Sequence, residues 1–270
     1  MVNDFKPNKL EYTMSNATRF TAYKTIVKRE TTRLMRIWPQ TILPPAITMT
    51  LYFIIFGNLI GKRIGTMDGF SYMDFIVPGL IMMSVITSSY ANVVSSFFSM
   101  KFQRSIEEIL IAPVPDFIII AGFVTGGVAR GLIVGGIVTI IALFFTGLSI
   151  DNYLITFSVI VMTAILFSLA GMINGVFARN FDDITIIPTF VLTPLTYLGG
   201  VFYSIKLLPE FWQHVSLSNP ILHMVNAFRY GVLGQSDLNI GFAFIIILGF
   251  IAALTIAILY LLKKGVGIRD

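Results

Sequence analysis

The chain contains no cysteine. Disulfides, thiol catalysis and cysteine-ligated metals are therefore excluded. Histidine is almost as scarce: His214 and His223 are the only two. With no cysteine nearby they make no recognised zinc signature. Charge is also in short supply. Only 12% of the 270 residues are charged, about half of the roughly 25% usual in soluble domains. Apolar residues fill the gap, at 56% of the chain, with a mean hydropathy of +0.83. A soluble protein of this length has too small a core to hide so much apolar surface. Lipid must cover the remainder, so the sequence reads as an all-α integral membrane protein.

Six apolar runs reach the ~20 residues that a spanning helix needs: Thr41–Ile60, Phe75–Phe98, Ile118–Gly147, Leu154–Ala178, Ile184–Tyr203 and Ile240–Leu262. The third is too long for one upright crossing, so it must tilt or start outside the hydrocarbon. Flanking charge gives the orientation. Eight of the 19 basic residues precede Gln40, with Lys101, Arg104, Arg179, Lys263, Lys264 and Arg269 on the same side of a six-span chain. The opposite side carries Lys62, Arg63, Lys206 and Arg229, and Arg130 falls within span three. A bias of 14 to four places both termini in the cytoplasm. The tail Met1 to Glu11 is polar and lacks the apolar stretch of a cleavable signal. The expected organisation is a polar tail (1–17), an interfacial amphipathic helix (18–39), a single transmembrane domain (40–262) and a cytoplasmic tail (263–270).

In the interfacial helix Phe20, Tyr23, Val27, Leu34 and Trp38 recur at helical spacing, among Arg19, Lys24, Lys28, Arg29, Arg33 and Arg36. Such a helix lies in the headgroup region. The net charge of +5 thus points to anionic lipid and not to nucleic acid. Between spans two and three, Lys101 to Pro113 predicts a short helix. Phe102, Ile106, Ile109 and Leu110 share one face; Lys101, Arg104, Glu107 and Glu108 mark the other, and Pro113 and Pro115 stop it. It is either a docking helix for a soluble partner or an ordinary connector.

Two spans carry polar stripes: Ser84, Ser88, Asn92, Ser95 and Ser99 in span two, and Thr185, Thr189, Thr193 and Thr196 in span five. Each stripe lies on one helix face and should turn away from lipid. Each either lines a translocation route or holds helices together by hydrogen bonds. Gly122, Gly126, Gly127, Gly131 and Gly135 in span three predict close helix packing. Pro44, Pro45, Pro188 and Pro194 interrupt spans one and five and predict bends. Two short apolar segments, around Leu207–Trp212 and Pro220–Phe228, predict re-entrant or interfacial half-helices before span six. Asp182 and Asp183 beside Arg179 predict a helix start and ion pair. Glu210 is a lone carboxylate. Gly57-Asn-Leu-Ile-Gly-Lys-Arg63 misses the phosphate-loop spacing by one residue and has Arg63 in place of Ser/Thr, so the chain shows no nucleotide-binding motif.

Three stretches together carry a family resemblance: Met35-Arg-Ile-Trp…Pro44-Pro-Ala through Gly61; Phe102-Gln-Arg-Ser-Ile-Glu-Glu-Ile-Leu-Ile-Ala-Pro-Val-Pro115; and Phe181-Asp-Asp…Pro194-Leu-Thr-Tyr-Leu-Gly-Gly-Val-Phe-Tyr203. On these the chain resembles the permease subunit of a type-2 ATP-binding-cassette exporter, from Arg36 onward. The resemblance implies a pore of two permease chains, here expected as a homodimer, and two copies of a separate ATP-binding subunit. ATP and Mg would sit on that partner, with no cofactor on this chain. It also implies that Lys101–Pro113 is a coupling helix, with Lys101, Arg104, Glu107, Glu108 and Pro113 its coupling residues. The family's pathway involves spans one, two and five. That implies Thr48, Ser84, Ser88, Asn92, Ser95, Thr185, Thr189, Thr193 and Thr196 as pathway or dimer-interface residues. Two other classes stay open: an ion-coupled secondary transporter, and a membrane-embedded lipid-modifying enzyme using His214, His223 or Glu210.

Overall fold

The computed structural model describes residues 15–106, 108, 112 and 114–267. Among these, helix dominates. The strands are confined to one small hairpin, Thr66–Met67 (β1) against Phe70–Ser71 (β2).

Helix α1 (Asn16–Arg36) starts at Ser15, whose hydroxyl accepts the Thr18 N–H. It breaks at Ile37 and α2 (Trp38–Tyr52) begins at once. Pro39 explains the break: it has no N–H to continue the α1 ladder, yet fits the first turn of a new helix. α2 continues through a π-helical stretch, Phe53–Ile60, into α3 (Gly61–Ile64). Ser71 caps α4 (Tyr72–Phe102) by accepting from the Asp74 N–H. α5 (Asp116–Leu143) and α6 (Tyr153–Phe177) follow. Next comes a broken segment of α7 (Asp183–Ile187), a π turn Pro188–Leu192 and α8 (Thr193–Tyr197). The chain ends with α9 (Glu210–Leu217), α10 (Pro220–Leu233) and α11 (Ile240–Lys264). Asn219 and Asn239 cap the last two, and Gly234 and Gly265 close them at φ 73° and 69°.

Among the described residues, five helical stretches are long and apolar enough to cross a membrane: Trp38–Gly57, Tyr72–Phe102, Asp116–Leu143, Tyr153–Phe177 and Ile240–Lys264. The expected fifth of six spans is the exception. Its helical part, residues 183–197, is about 22 Å long at 1.5 Å per residue, short of the ~30 Å hydrocarbon core. Pro188 and Pro194 interrupt its ladder, and the chain turns away at Gly199–Gly200.

α4 is the central post. In its most apolar stretch 83% is buried, against 17% in α2 and in α11, which therefore lie at the edge. α4 packs on α5 and α6, α1 packs on α5, and α10 fits between α4, α6 and α11. The glycines of α5 set these distances, as expected. A Cβ on Gly122 would lie 2.5 Å from Ile26, and one on Gly126 would lie 2.7 Å from Glu30, both on α1. The opposite face, Gly127, Gly131 and Gly135, meets Ser168, Ser89 and Val85. One further close approach was not anticipated. A Cβ on Gly171 of α6 would lie 2.6 Å from the Tyr90 carbonyl oxygen of α4. Backbone cannot rotate aside as a side chain can. Gly171→Leu is therefore expected to destabilise by about 3 kcal/mol or more, at the upper end of overpacking. Thermal denaturation in mild detergent checks this.

The buried face of α1 differs from the expected stripe. Ile26, Glu30 and Leu34 are the buried residues, whereas Phe20 and Trp38 are exposed. The helix turns one face to the protein and keeps a second apolar edge outside.

Candidate functional site

The predicted coupling segment follows the last turn of α4. Lys101 turns back and donates to the carbonyls of Val176 (2.6 Å) and Ala178 (2.8 Å). It thereby caps the end of α6 with a positive charge. Arg104 is exposed and held at φ 59°, a left-handed turn that ends α4. Ser105, Ile106 and Glu108 are helical again. Ile106 anchors this piece in the core, and Glu108 is exposed. Glu107, Ile109, Leu110 and Pro113 lie outside the described residues. Phe102 leaves the apolar face assigned to it. It is exposed and packs edge-on to Phe181, 5.1 Å between centroids, forming an aromatic patch beside the turn.

The two polar stripes have different surroundings. Ser84, Ser88 and Asn92 are buried within the single chain, and Ser95 is half-buried. Thr48, Thr185, Thr189 and Thr193 are exposed, while Thr196 is buried. The Thr185, Thr193 and Thr196 hydroxyls donate to carbonyls of their own segment, at Asp182, Pro188 and Leu192. Asp183 accepts from the Arg179 backbone N–H at 2.8 Å. The expected helix start is present, but its contact is with backbone and not with the Arg179 guanidinium.

The lower half of the α4 stripe receives α1. Glu30, only 1% exposed, accepts from Ser96 Oγ at 2.7 Å and from Arg29 Nη2 at 3.0 Å. Arg33 Nη2 donates to Ser95 Oγ at 2.7 Å and to the Asn92 carbonyl at 3.3 Å. Glu30 Oε2, Asn92 Nδ2 and Arg130 Nε are buried without a protein partner. Arg130 lies within electrostatic range of Arg33. Burial, more than the opposing influence of Glu30, makes Arg33 easier to deprotonate than usual. Beside this knot a cleft of about 550 Å³ opens between α1 and the end of α4.

At the other end of α4, Arg229 of α10 is buried. Its Nη2 donates to the Gly200 carbonyl at 2.7 Å and its Nε to the Phe75 carbonyl at 3.4 Å. The guanidinium lies 3.9 Å from the Phe75 ring centroid. Asp237 nearby pairs with Lys206 at 2.7 Å and accepts from Ser204 at 3.0 Å. A cavity of about 40 Å³ touches Arg229, Asp237, Lys206 and Asp68, large enough for a water. The histidines do not meet. His214 Nδ1 contacts the Glu210 carbonyl and His223 Nε2 the Leu217 carbonyl, each at 2.8 Å. No cluster able to hold a metal occurs among the described residues.

Residues 21–233 match the family described as "ABC-2 type transporter". The chain belongs to the ABC-2 type transporter family. It is 61% identical over 249 residues to "Inner membrane transport permease YadH" of Escherichia coli (strain K12), covering 92% of this chain and 97% of that protein. It is 26% identical over 192 residues to "Nodulation protein J" of Rhizobium meliloti (strain 1021), covering 71% and 73%. The corresponding protein of Neorhizobium galegae is 22% identical over 201 residues, covering 74% and 77%. Membership in the ABC-2 family makes the chain a membrane transport subunit and not an enzyme. The family match starts within α1 and stops at the end of α10. It therefore includes Glu30, Arg33 and Arg229, which sequence reasoning did not single out as site residues. Glu30 had one available signal: it lies on the line Ile26–Glu30–Leu34 that the structure buries. Arg229 had none.

Proposed function

We propose that this chain is the membrane half of an ATP-driven exporter of the bacterial inner membrane. Two copies form the pathway, and each docks one YadG-type ATP-binding subunit that carries ATP and Mg. The chain crosses the membrane six times with both termini in the cytoplasm. In this reading residues 183–203 make the short fifth crossing, and α9 and α10 are half-helices on the outer side. The 14-to-four basic bias supports that orientation.

The observation that carries the coupling reading is the exposed end of α4. Arg104 and Glu108 are exposed there, with the exposed Phe102–Phe181 pair beside them, while Ile106 and Lys101 tie the segment to the bundle. A rigidly tethered, solvent-facing piece of this kind can receive motion from a docked subunit and pass it to α4 and α6. Thr48, Thr185, Thr189 and Thr193 are open to a second chain or a substrate. Ser84, Ser88, Asn92, Ser95 and Thr196 serve mainly to pack the single chain.

A tagged chain purified gently from its native membrane is expected to bring an ATP-binding-cassette ATPase with it. The double variant Glu107→Arg, Glu108→Arg should insert normally and lose that partner. Retention of the ATPase by the variant would remove the coupling role from this segment.

A further inference from the structure

The cleft between α1 and the end of α4 is a second feature, independent of ATPase docking. Four cations line it: Lys28, Arg29, Arg33 and Arg36. No carboxylate lines it among the described residues. Glu30, which accepts from the lining residues Arg29 and Ser96, is buried and already engaged by them. Ser99, Gln103 and Thr32 add neutral donors to the walls. Four like charges within about two turns of one helix repel each other, and an anion in the cleft would relieve that repulsion. Arg33 is held in place by Ser95 and the Asn92 carbonyl, so its planar fork is oriented before any ligand arrives.

Depth narrows the ligand further. α4 has 31 residues, about 46 Å at 1.5 Å per residue, longer than the ~30 Å hydrocarbon core. Its last turns, which form the cleft wall, therefore stand among headgroups. Phe20 and Met35 on α1 and Trp38 at the start of α2 are exposed and suit the acyl boundary beside the cleft. The cleft volume of about 550 Å³ falls within the ~300–1,000 Å³ of ordinary small-molecule pockets.

We propose that this cleft is a binding site for a phosphate-bearing anion, supplied by a phospholipid headgroup or by a free phosphate compound. Guanidinium groups bind phosphate through paired charge-assisted hydrogen bonds.

The test uses the full chain in detergent, with native mass spectrometry or thermophoresis as the readout. The probes are short-chain phosphatidic acid, short-chain phosphatidylcholine and inorganic phosphate. The variant is Lys28→Gln with Arg36→Gln, two exposed cations outside the Glu30 knot. A second variant, Lys263→Gln with Lys264→Gln, removes equal charge from the end of α11. Phosphatidic acid should bind the native chain more tightly than phosphatidylcholine. The cleft variant should weaken it on the order of 30-fold, at the usual contribution of a basic residue near an anionic surface. The α11 variant should leave it unchanged. Displacement by inorganic phosphate would identify the phosphate group alone as the ligand. Binding of the lipid without displacement would identify the lipid headgroup. Equal loss in both variants, or no loss in the cleft variant, would overturn the site. So would absence of binding to the native chain.

Discussion

Arg229→Met is expected to cost about 3–4 kcal/mol of stability, although it replaces a buried charge with an apolar side chain of similar length. The charge itself is costly to bury, but its hydrogen bonds are not dispensable. The Gly200 carbonyl loses its 2.7 Å donor and the Phe75 carbonyl its weaker one. An unsatisfied buried acceptor costs about 1–3 kcal/mol, and a desolvated cation–π contact is worth about 2 kcal/mol. Relief of guanidinium desolvation offsets part of this sum. Arg229→Lys should recover little, because an ammonium cannot reach both carbonyls from one plane. Size-exclusion profiles after stepwise heating would show the shift. An unchanged melting temperature for Arg229→Met would mean that α10 is not held to α4 through this residue.

The second large effect is at Glu30. Removing one partner of a buried ion pair costs about 3–5 kcal/mol. Arg29 is 39% exposed, which reduces the figure for Glu30→Ala to about 2–3 kcal/mol by solvent screening of its partner. Glu30→Gln retains an acceptor for Ser96 and should lose about half as much. Because Glu30 pins α1 to α4 and packs on Gly126 of α5, the damage should be local. Trypsin should cut between Lys24 and Arg36 faster in Glu30→Ala than in the native chain. Equal rates would indicate that α1 is held by Ile26 and Leu34 alone.

These two residues also mark where sequence reasoning stops. Five long apolar helices were legible because lipid demands ~20 apolar residues whatever their neighbours. The glycine face of α5 was legible for a similar reason: spacing alone brings Gly127, Gly131 and Gly135 to one side. The serine stripe of α4 was legible as a face, but not its occupant. Nothing local to Ser95 and Ser96 announces Arg33 and Glu30, more than sixty residues earlier. The interfacial helix shows the limit most plainly. Hydrophobicity selected Phe20 and Trp38, which are exposed, because a helix between lipid and protein has two apolar sides. Arg229 counts among the outer-side charges only from its place between spans five and six. Its burial depends on Phe75 and Gly200, which only the folded chain brings together. The fifth run was apolar enough to span, yet two prolines and a glycine pair cut its helix to 15 residues, 183–197.

The absence of cysteine allows ATPase docking at the end of α4 to be tested without background. Arg104→Cys, labelled with a maleimide photo-cross-linker in native membranes, places a short probe at the exposed turn after α4. Phe144→Cys places the same probe at the far end of α5, where Phe144 is 83% exposed. Light is expected to capture an ATP-binding-cassette subunit from position 104 and none from position 144. Capture of no ATPase at position 104, or of equal amounts at both positions, would contradict it.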